Sequence, residues 1–485
     1  MTPSGAKRLW HMFARRTGWA CLVLVAFVVV SGADGRQQAR PPNIVFIFAD
    51  DLGWKDVGYQ GTDFYETPNI DALARAGMAF TQAYAGAANC APSRAVLLSG
   101  QYTPRHGVYA VGDTTRGPLE SMRMIPVPNR SGLAPSTVTM AEALKAAGYA
   151  TGIFGKWHLA GPDGAEPEAQ GFDVAYDPRA PNPNARRDEP DDPKAIYSLT
   201  RAALSFIETN RDRPFFAYVS HHAIHTSLEA RPSSLEKFRA KAEGALHGNA
   251  LYAACLYDLD DGVGRLIEGL RALGLERNTL VIFTSDNGGT MQSSQEPLRG
   301  SKGGYYEGGI REPLIAYWPG VIEPGSRSDV PVHSVDFYPT LLDAAGAAVP
   351  GGHVLDGESL LPLLRKTSNG LTRESIFWHF PGYLNTPVIR GRDPVFRTRP
   401  VSVIRKGDWK LHLYHEEWQL DGSRARVDAN RSVELYDMRN DIGEWRNLAG
   451  ERPDKRDELL DDLLEWFESV GAKLPTEPNP AYRRN

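Results

Sequence analysis

Three features of the sequence predict an α/β fold: a large mixed, mostly parallel sheet sandwiched by helices, with a smaller C-terminal α+β subdomain of antiparallel sheet plus helix. Short apolar runs without polar alternation recur through most of the chain, as strands covered on both faces require. Several of these runs end abruptly in Asp, Asn, Lys or His. Towards the C-terminus the texture changes to short alternating strands followed by an amphipathic helix. With 485 residues, the chain is long enough for one large domain and a smaller one.

The N-terminus carries Lys7, Arg8, Arg15 and Arg16, then an apolar core from Gly18 to Val30 and the small residues Ser31-Gly32-Ala33. This pattern predicts an export signal over residues 1–33, cut after Ala33, and a periplasmic or extracellular protein. The core is short for a spanning helix, so no stable membrane insertion is expected, with an uncleaved anchor as the alternative.

Ile44–Phe48 is the first apolar run and is followed by Asp50-Asp51. Tyr149–Phe154 leads into Gly155-Lys156-Trp157-His158, Phe215–Val219 into His221-His222 and then His225, and Leu280–Phe283 into Asp286-Asn287. Helical patterns occupy 70–79, 137–147 and 195–209, and a longer one from Leu251 to Leu270 takes in Cys255. In open α/β sheets ligands bind beyond the carboxyl ends of the strands. Each polar end taken singly also reads as a turn or a helix cap. Four of them arriving at one edge is the argument for a site.

Cysteine usage is sparse, with three in the chain. Cys21 belongs to the signal and Cys255 to a helix core, so stability is expected from core size instead of disulfides. That leaves Cys90, in Cys90-Ala91-Pro92-Ser93-Arg94, continued by Ala95-Val96-Leu97-Leu98. Pro92 suits a first helical turn, which puts Cys90 at a helix N-terminus, where free N–H groups and the dipole favour an anion.

This stretch resembles the maturation signature of the type I sulfatases, in which the cysteine of Cys-x-Pro-x-Arg is oxidised to formylglycine. The resemblance runs from Asn43 to Leu448 and implies an alkaline-phosphatase-like superfold, sulfate ester hydrolysis and a formylglycine-generating maturation enzyme as partner. An aldehyde hydrate offers two hydroxyls on one carbon. One attacks sulfur, and the other then loses its proton and expels sulfate.

Carried over by position, the resemblance assigns Asp50, Asp51, Asp286 and Asn287, with the oxygen of residue 90, to a divalent cation. Such an anionic, all-oxygen shell favours a hard ion, Ca²⁺ with Mg²⁺ as the alternative. Lys156 and Lys302 would hold the sulfate, His158 would contact the formylglycine, and Arg94 would orient it. His225 would protonate the leaving alcohol. The family has proline immediately before that histidine where this chain has Ile224, so His221 and His222 remain competing candidates. Glu307, Arg311 and Arg105-His106 read as structural.

The resemblance also divides the chain into a catalytic domain over 40–375 and an antiparallel-sheet subdomain over 376–485. Within the latter, Val401–Ile404, Trp409–Tyr414 and Val433–Tyr436 read as strands, and 455–470 as a helix burying Leu459, Leu460, Leu463, Leu464 and Phe467.

The chain has 54 Lys plus Arg against 59 Asp plus Glu, a formal net charge of -5, and no basic run that would mark a nucleic-acid binder. Positive potential for an anionic ester must therefore be built locally. The irregular stretches 113–134 and 160–193 are expected to roof the pocket. Trp378–Tyr383 and Arg390, Arg392 and Arg397 are candidates to contact a sugar acid or a neighbouring sulfate. Together with export, this rim favours a sulfated carbohydrate as substrate. The alternatives are a phosphodiesterase or phosphonate monoester hydrolase of the same superfold, and a non-catalytic sulfated-glycan-binding relative.

Overall fold

The computed structural model describes residues 40–180, 187 and 189–483. The expected export signal, with Cys21, lies outside them, as does part of the expected roof over 160–193.

The main sheet comprises β1 (Asn43–Ala49), β2 (Met78–Tyr84), β3 (Ala150–Gly155), β4 (Val174–Tyr176), β5 (Phe215–Ser220), β6 (Thr279–Ser285), β7 (Arg311–Tyr317), β8 (Ser326–Ser328) and β9 (Val332–His333). Their order is β4-β3-β5-β1-β6-β7-β2-β8, with β9 also on β2. Pairings are parallel except on either side of β7, which runs against its neighbours.

Burial on two faces explains the unbroken apolar runs. Along β1, Val45, Ile47 and Ala49 enter one core, with the helices Ile196–Thr209 and Ala250–Ala272. The alternate residues Ile44, Phe46 and Phe48 enter the other, with Met140–Ala146 and Phe337–Ala345. Successive side chains of a strand point to opposite faces, so a sheet covered on both sides needs apolar residues at every position. The four runs singled out in the sequence are β3, β5, β1 and β6, consecutive in the sheet. At about 4.8 Å per strand, their carboxyl ends fall within about 15 Å of one another.

Three elements differ from the sequence expectation. The helix expected over 70–79 ends at Ala76, and Met78–Tyr84 forms β2. Sheet pairing overrides the helical periodicity there. Arg311–Tyr317 lies in the sheet as β7, although Pro313 argues against a central strand. The β2–β7 register slips between Phe80 and Ala83, opposite Pro313, where no N–H exists to donate. Val174–Tyr176 is an edge strand instead of part of a roof.

Beyond these lie β10 (Ser375–Phe380), β11 (Leu384–Asn385), β12 (Phe396–Thr398), β13 (Val401–Lys406), β14 (Trp409–Tyr414) and β15 (Val433–Asp437). The order β10-β13-β14-β15 makes a separate antiparallel sheet, and β11 pairs with β12. The helix Pro453–Val470 covers that sheet with Leu459, Leu460, Leu463, Trp466, Phe467 and Val470. Leu464 is only partly buried, because the i, i+3, i+4, i+7 stripe passes through Trp466.

The small sheet shares a core cluster with Val96 and Tyr102, and residues 41–485 form one compact unit. A buried ionic seam ties the two sheets together. Lys410 of β14 lies 2.9 Å from Glu307 and 2.9 Å from Glu444. Arg311 pairs with Glu307 at 3.0 Å, and the Glu307 N–H donates to Glu444 at 2.7 Å. Glu307 and Arg311 thus brace the sheet junction.

Removing one partner of such a seam leaves uncompensated buried charge. Lys410→Met is expected to lower stability by about 3–5 kcal/mol, read from the urea midpoint at unchanged slope. A loss below about 1 kcal/mol would show that the seam is dispensable.

Candidate active site

The site is built where the strands stop. Beyond β1, the Asp50 N–H donates to the Ala223 carbonyl at 2.9 Å, holding the carboxylate at the sheet edge. Asp51 adopts left-handed backbone, φ 67°, a conformation aspartate tolerates better than most residues, and its N–H donates to Asp286 Oδ1 at 3.1 Å. Beyond β6, the Asn287 amide donates to Asp51 Oδ1 at 2.8 Å and to the Gly288 carbonyl at 2.9 Å. Its Oδ1 is thereby left buried with no partner.

Gly155 at the end of β3 has φ 108°, and a Cβ there would sit 2.0 Å from the Ser220 carbonyl, so the turn requires glycine. That close approach lets the Lys156 N–H donate to Ser220 O at 2.8 Å. The ammonium of Lys156 then reaches Asp50 Oδ2 at 2.5 Å.

Cys90 begins the buried helix Cys90–Ser99. Its Sγ lies 3.6 Å from Asp50 Oδ1 and 3.9 Å from Asp51 Oδ1, and Lys302 donates to it at 3.0 Å. The same ammonium is 2.5 Å from Asp51. One helical turn on, the Arg94 guanidinium donates to Asp286 Oδ2 at 3.1 and 2.7 Å, to the Lys156 carbonyl at 3.1 Å and to Ser220 Oγ at 2.5 Å. Arg94 also lies 3.7 Å from Asp50, so its links towards Cys90 run through Asp50, Asp286 and the Lys156 backbone.

Of the three candidate histidines, His225 lies with Asp50, Asp51 and Cys90 in one cluster whose ligand atoms are all within 4.8 Å of one another. Its Nδ1 donates to the Thr226 carbonyl at 2.5 Å, which turns Nε2 towards Asp51 at 3.7 Å. His222 is tied to Asp177 at 2.8 Å, and His221 is buried with an unpartnered Nδ1. His158 also has left-handed backbone, φ 65°, and a buried, unpartnered Nδ1.

Charge governs this pocket. Burial would raise the Asp50 carboxyl, but Lys156 above all, with His225, Arg94 and Lys302, holds it well below the ordinary range. Asp51 is likewise low, its burial outweighed chiefly by Lys302. Burial and the Asp50 charge push Asp286 up to about 6. Burial, with Asp286, pushes the Cys90 thiol up to about 12, so an unmodified cysteine here stays protonated and is a poor nucleophile. Burial holds His158 well below its usual value, reinforced by Lys156 and Arg94. Three carboxylates and an amide oxygen without a partner suit a hard divalent cation better than zinc.

A cavity of about 290 Å³ opens onto the cluster, lined by Asp51, His225, Thr290, Gln292, Lys302 and Arg397 among others. Among the described residues, those lining it come from Asp51, the 290–292 turn, Ser301-Lys302, Arg397 and the segment of His225, and none from the expected roof segments 113–134 and 160–193. Of the expected rim, Trp378 is buried and donates to the Ala85 carbonyl at 2.8 Å, and Arg392 is committed to Glu417 and Glu434 at 2.9 Å each. Arg390 bonds to the Leu298 carbonyl and stacks on Trp445. Ser220 was not legible as a site residue, because a polar residue closing an apolar run marks most strand ends, and Gln292 was not because it lies in a turn without a chemical motif.

A family model described as "Sulfatase" matches residues 42–347, and one described as "N-sulphoglucosamine sulphohydrolase, C-terminal" matches 301–470. The chain belongs to the sulfatase family. This sulfatase is 35% identical to a "Sulfatase" of Formosa agariphila, over 93% of this chain and 92% of that protein. It is 36% identical to human arylsulfatase A, over 86% and 85%. It is 34% identical to mouse N-acetylgalactosamine-6-sulfatase, over 81% and 77%. Among solved structures, Ps i-CgsB superposes with a TM-score of 0.70 at 28% identity, covering 90% of this chain and 95% of that one. A phosphonate monoester hydrolase of Agrobacterium radiobacter also superposes, with a TM-score of 0.64 at 22% identity, and shares the fold. The protein is accordingly a sulfuric ester hydrolase of alkaline-phosphatase-like fold.

Proposed function

We propose that this sulfatase is exported, is matured by oxidation of Cys90 to formylglycine, and uses a bound Ca²⁺ (or Mg²⁺) to hydrolyse sulfate monoesters of a carbohydrate. The observation that carries this reading is Cys90 itself: a buried thiol at a helix start, 3.0 Å from Lys302 and within 4 Å of two carboxylates. An aldehyde hydrate at that position would supply the hydroxyl nucleophile the thiol cannot. Asp50, Asp51, Asp286 and Asn287, whose Oδ1 lacks a partner, would hold the cation, which when bound neutralises charge on the sulfate.

The chain's own groups divide the remaining work. Lys156, directly after β3, and Lys302, in the loop between β6 and β7, would fix the sulfate oxygens, placing sulfur in line. Arg94 keeps Asp286 ionised and oriented. His158, which follows Lys156 and has a buried Nδ1 without a partner, would contact the formylglycine and assist deprotonation of its second hydroxyl. His225, with Nδ1 fixed on Thr226, offers Nε2 to the leaving oxygen.

A sugar substrate is supported by the names of similar proteins. One relative is an N-acetylgalactosamine-6-sulfatase, and one solved neighbour, 28% identical with a TM-score of 0.70, is Ps i-CgsB in complex with a neocarrahexaose. Export rests on the signal pattern of residues 1–33. No helix among the described residues is long and apolar enough to cross a membrane.

Peptide mass spectrometry of active protein is expected to find aldehyde or its hydrate at position 90, and Cys90→Ala to abolish turnover with the thermal midpoint retained. An unmodified thiol in fully active protein would end this reading. His225→Asn is expected to cut kcat roughly 10²- to 10⁴-fold on alkyl sulfates and less on activated aryl sulfates. Equal losses on both would remove the leaving-group role. Saturating calcium, at about 100 times its Kd, should stabilise the enzyme by about 2.7 kcal/mol in thermal unfolding. Asn287→Ala should lose most of that shift, and an undiminished shift would take Asn287 out of the metal site.

A further inference from the structure

Four arginines fall between residues 390 and 399, and three have carboxylate partners. Arg390 faces Glu296 at 3.9 Å, Arg392 pairs with Glu417 and Glu434 at 2.9 Å each, and Arg399 pairs with Asp393 and Glu416. Arg397 differs. Among the described residues no carboxylate lies within ion-pair distance of it, yet it lines the same cavity as Asp51, His225 and Lys302.

Its guanidinium is held by two carbonyls, with Nη1 donating to Lys302 O at 3.2 Å and Nε to Thr386 O at 3.3 Å. Among the described residues, Nη2 has no hydrogen-bond partner. The side chain is also made room for: Gly303, with φ 87°, follows Lys302, and a Cβ on it would sit 2.3 Å from Arg397 Cδ. Arg116 is exposed on a neighbouring loop; its backbone N–H donates to Tyr383 O at 3.3 Å and its Nη1 to Val111 O at 3.4 Å. A Cβ on the adjacent Gly117 would meet the Phe396 ring at 2.6 Å, which sets this loop against the β11–β12 hairpin that carries Arg397. Burial, and after it the Arg116 charge, depress the Arg397 guanidinium, with Asp51 opposing them.

We propose that Arg397 binds a second anionic group of the substrate, so that the enzyme is specific for sulfated sugars carrying another sulfate or a carboxylate close to the sulfate that is cleaved. This rests on the sulfated-carbohydrate reading of the cavity and names its substrate class. Arginine suits the task, because its planar fork matches both oxyanions through two parallel hydrogen bonds.

The test compares kcat/KM on three esters: a neutral disaccharide monosulfate, the same disaccharide with a second sulfate, and its uronic acid counterpart. Wild-type enzyme should prefer one or both doubly charged esters, and the preferred one identifies the anion. Arg397→Met should lower kcat/KM on that ester by about 10- to 100-fold, mainly through KM, and lower it roughly tenfold less on the neutral monosulfate. Arg397→Lys should restore part of the difference, which a merely structural defect would not. Equal losses on all three esters, or no preference in the wild type, would overturn the proposal. Wild-type enzyme that cleaves 4-nitrophenyl sulfate but none of the three would instead remove the carbohydrate reading beneath it.

Discussion

Charge balance inside a dry pocket is the constraint on which the rest of this structure depends. Asp50, Asp51 and Asp286 are buried at the ends of two adjacent strands and face Arg94, Lys156 and Lys302, each brought in from a different segment. Taking such charges out of water is costly unless partners and hydrogen bonds are placed well. Placement within a few tenths of an ångström therefore has to come from rigid elements, and a sheet buried on both faces supplies them. The mutual fields also set the reactivity. The same burial that makes the Cys90 thiol inert strengthens every charge–oxyanion contact available to a bound sulfate.

The scaffold serves this constraint through close backbone approaches as much as through side chains. Gly155 lets β3 and β5 end side by side, which puts the Lys156 backbone on Ser220 and its ammonium on Asp50. The second sheet contributes at a distance. Through Lys410 and Glu444 it anchors the segment that begins at Glu307, close after the stretch that carries Lys302. The separate β11–β12 hairpin, which lies between β10 and β13 in the chain, bears Arg397, so a segment far from Cys90 in the sequence lines the cavity.

Much of this was legible in the sequence. Unbroken apolar runs with polar ends identified β1, β3, β5 and β6 and the edge on which the site lies, because two-sided burial leaves a direct imprint on composition. The Cys90–Arg94 signature and the neighbouring Asp, Lys and His motifs named the family that the comparisons then established. What escaped were elements without such an imprint. Strand β2 follows a helix in which its own apolar residues also fit, and β7 contains a proline that the sheet tolerates only through a slip in register. Val174–Tyr176, expected in a roof, adds an edge strand because a short segment can pair wherever a neighbour offers free backbone groups.

The sequence by itself determined the fold class, the family and the residue types at the catalytic edge, since these follow from local hydrophobic period and from motifs whose members lie close together. Only the tertiary structure decided that His225 stands by Asp50, Asp51 and Cys90 while His222 is held by Asp177, that Arg94 serves Asp286, and that Arg397 faces the cavity while Arg392 is neutralised. Those outcomes depend on which charges meet across long stretches of chain. Pairing of that kind is set by packing geometry, to which the local pattern of residues is blind.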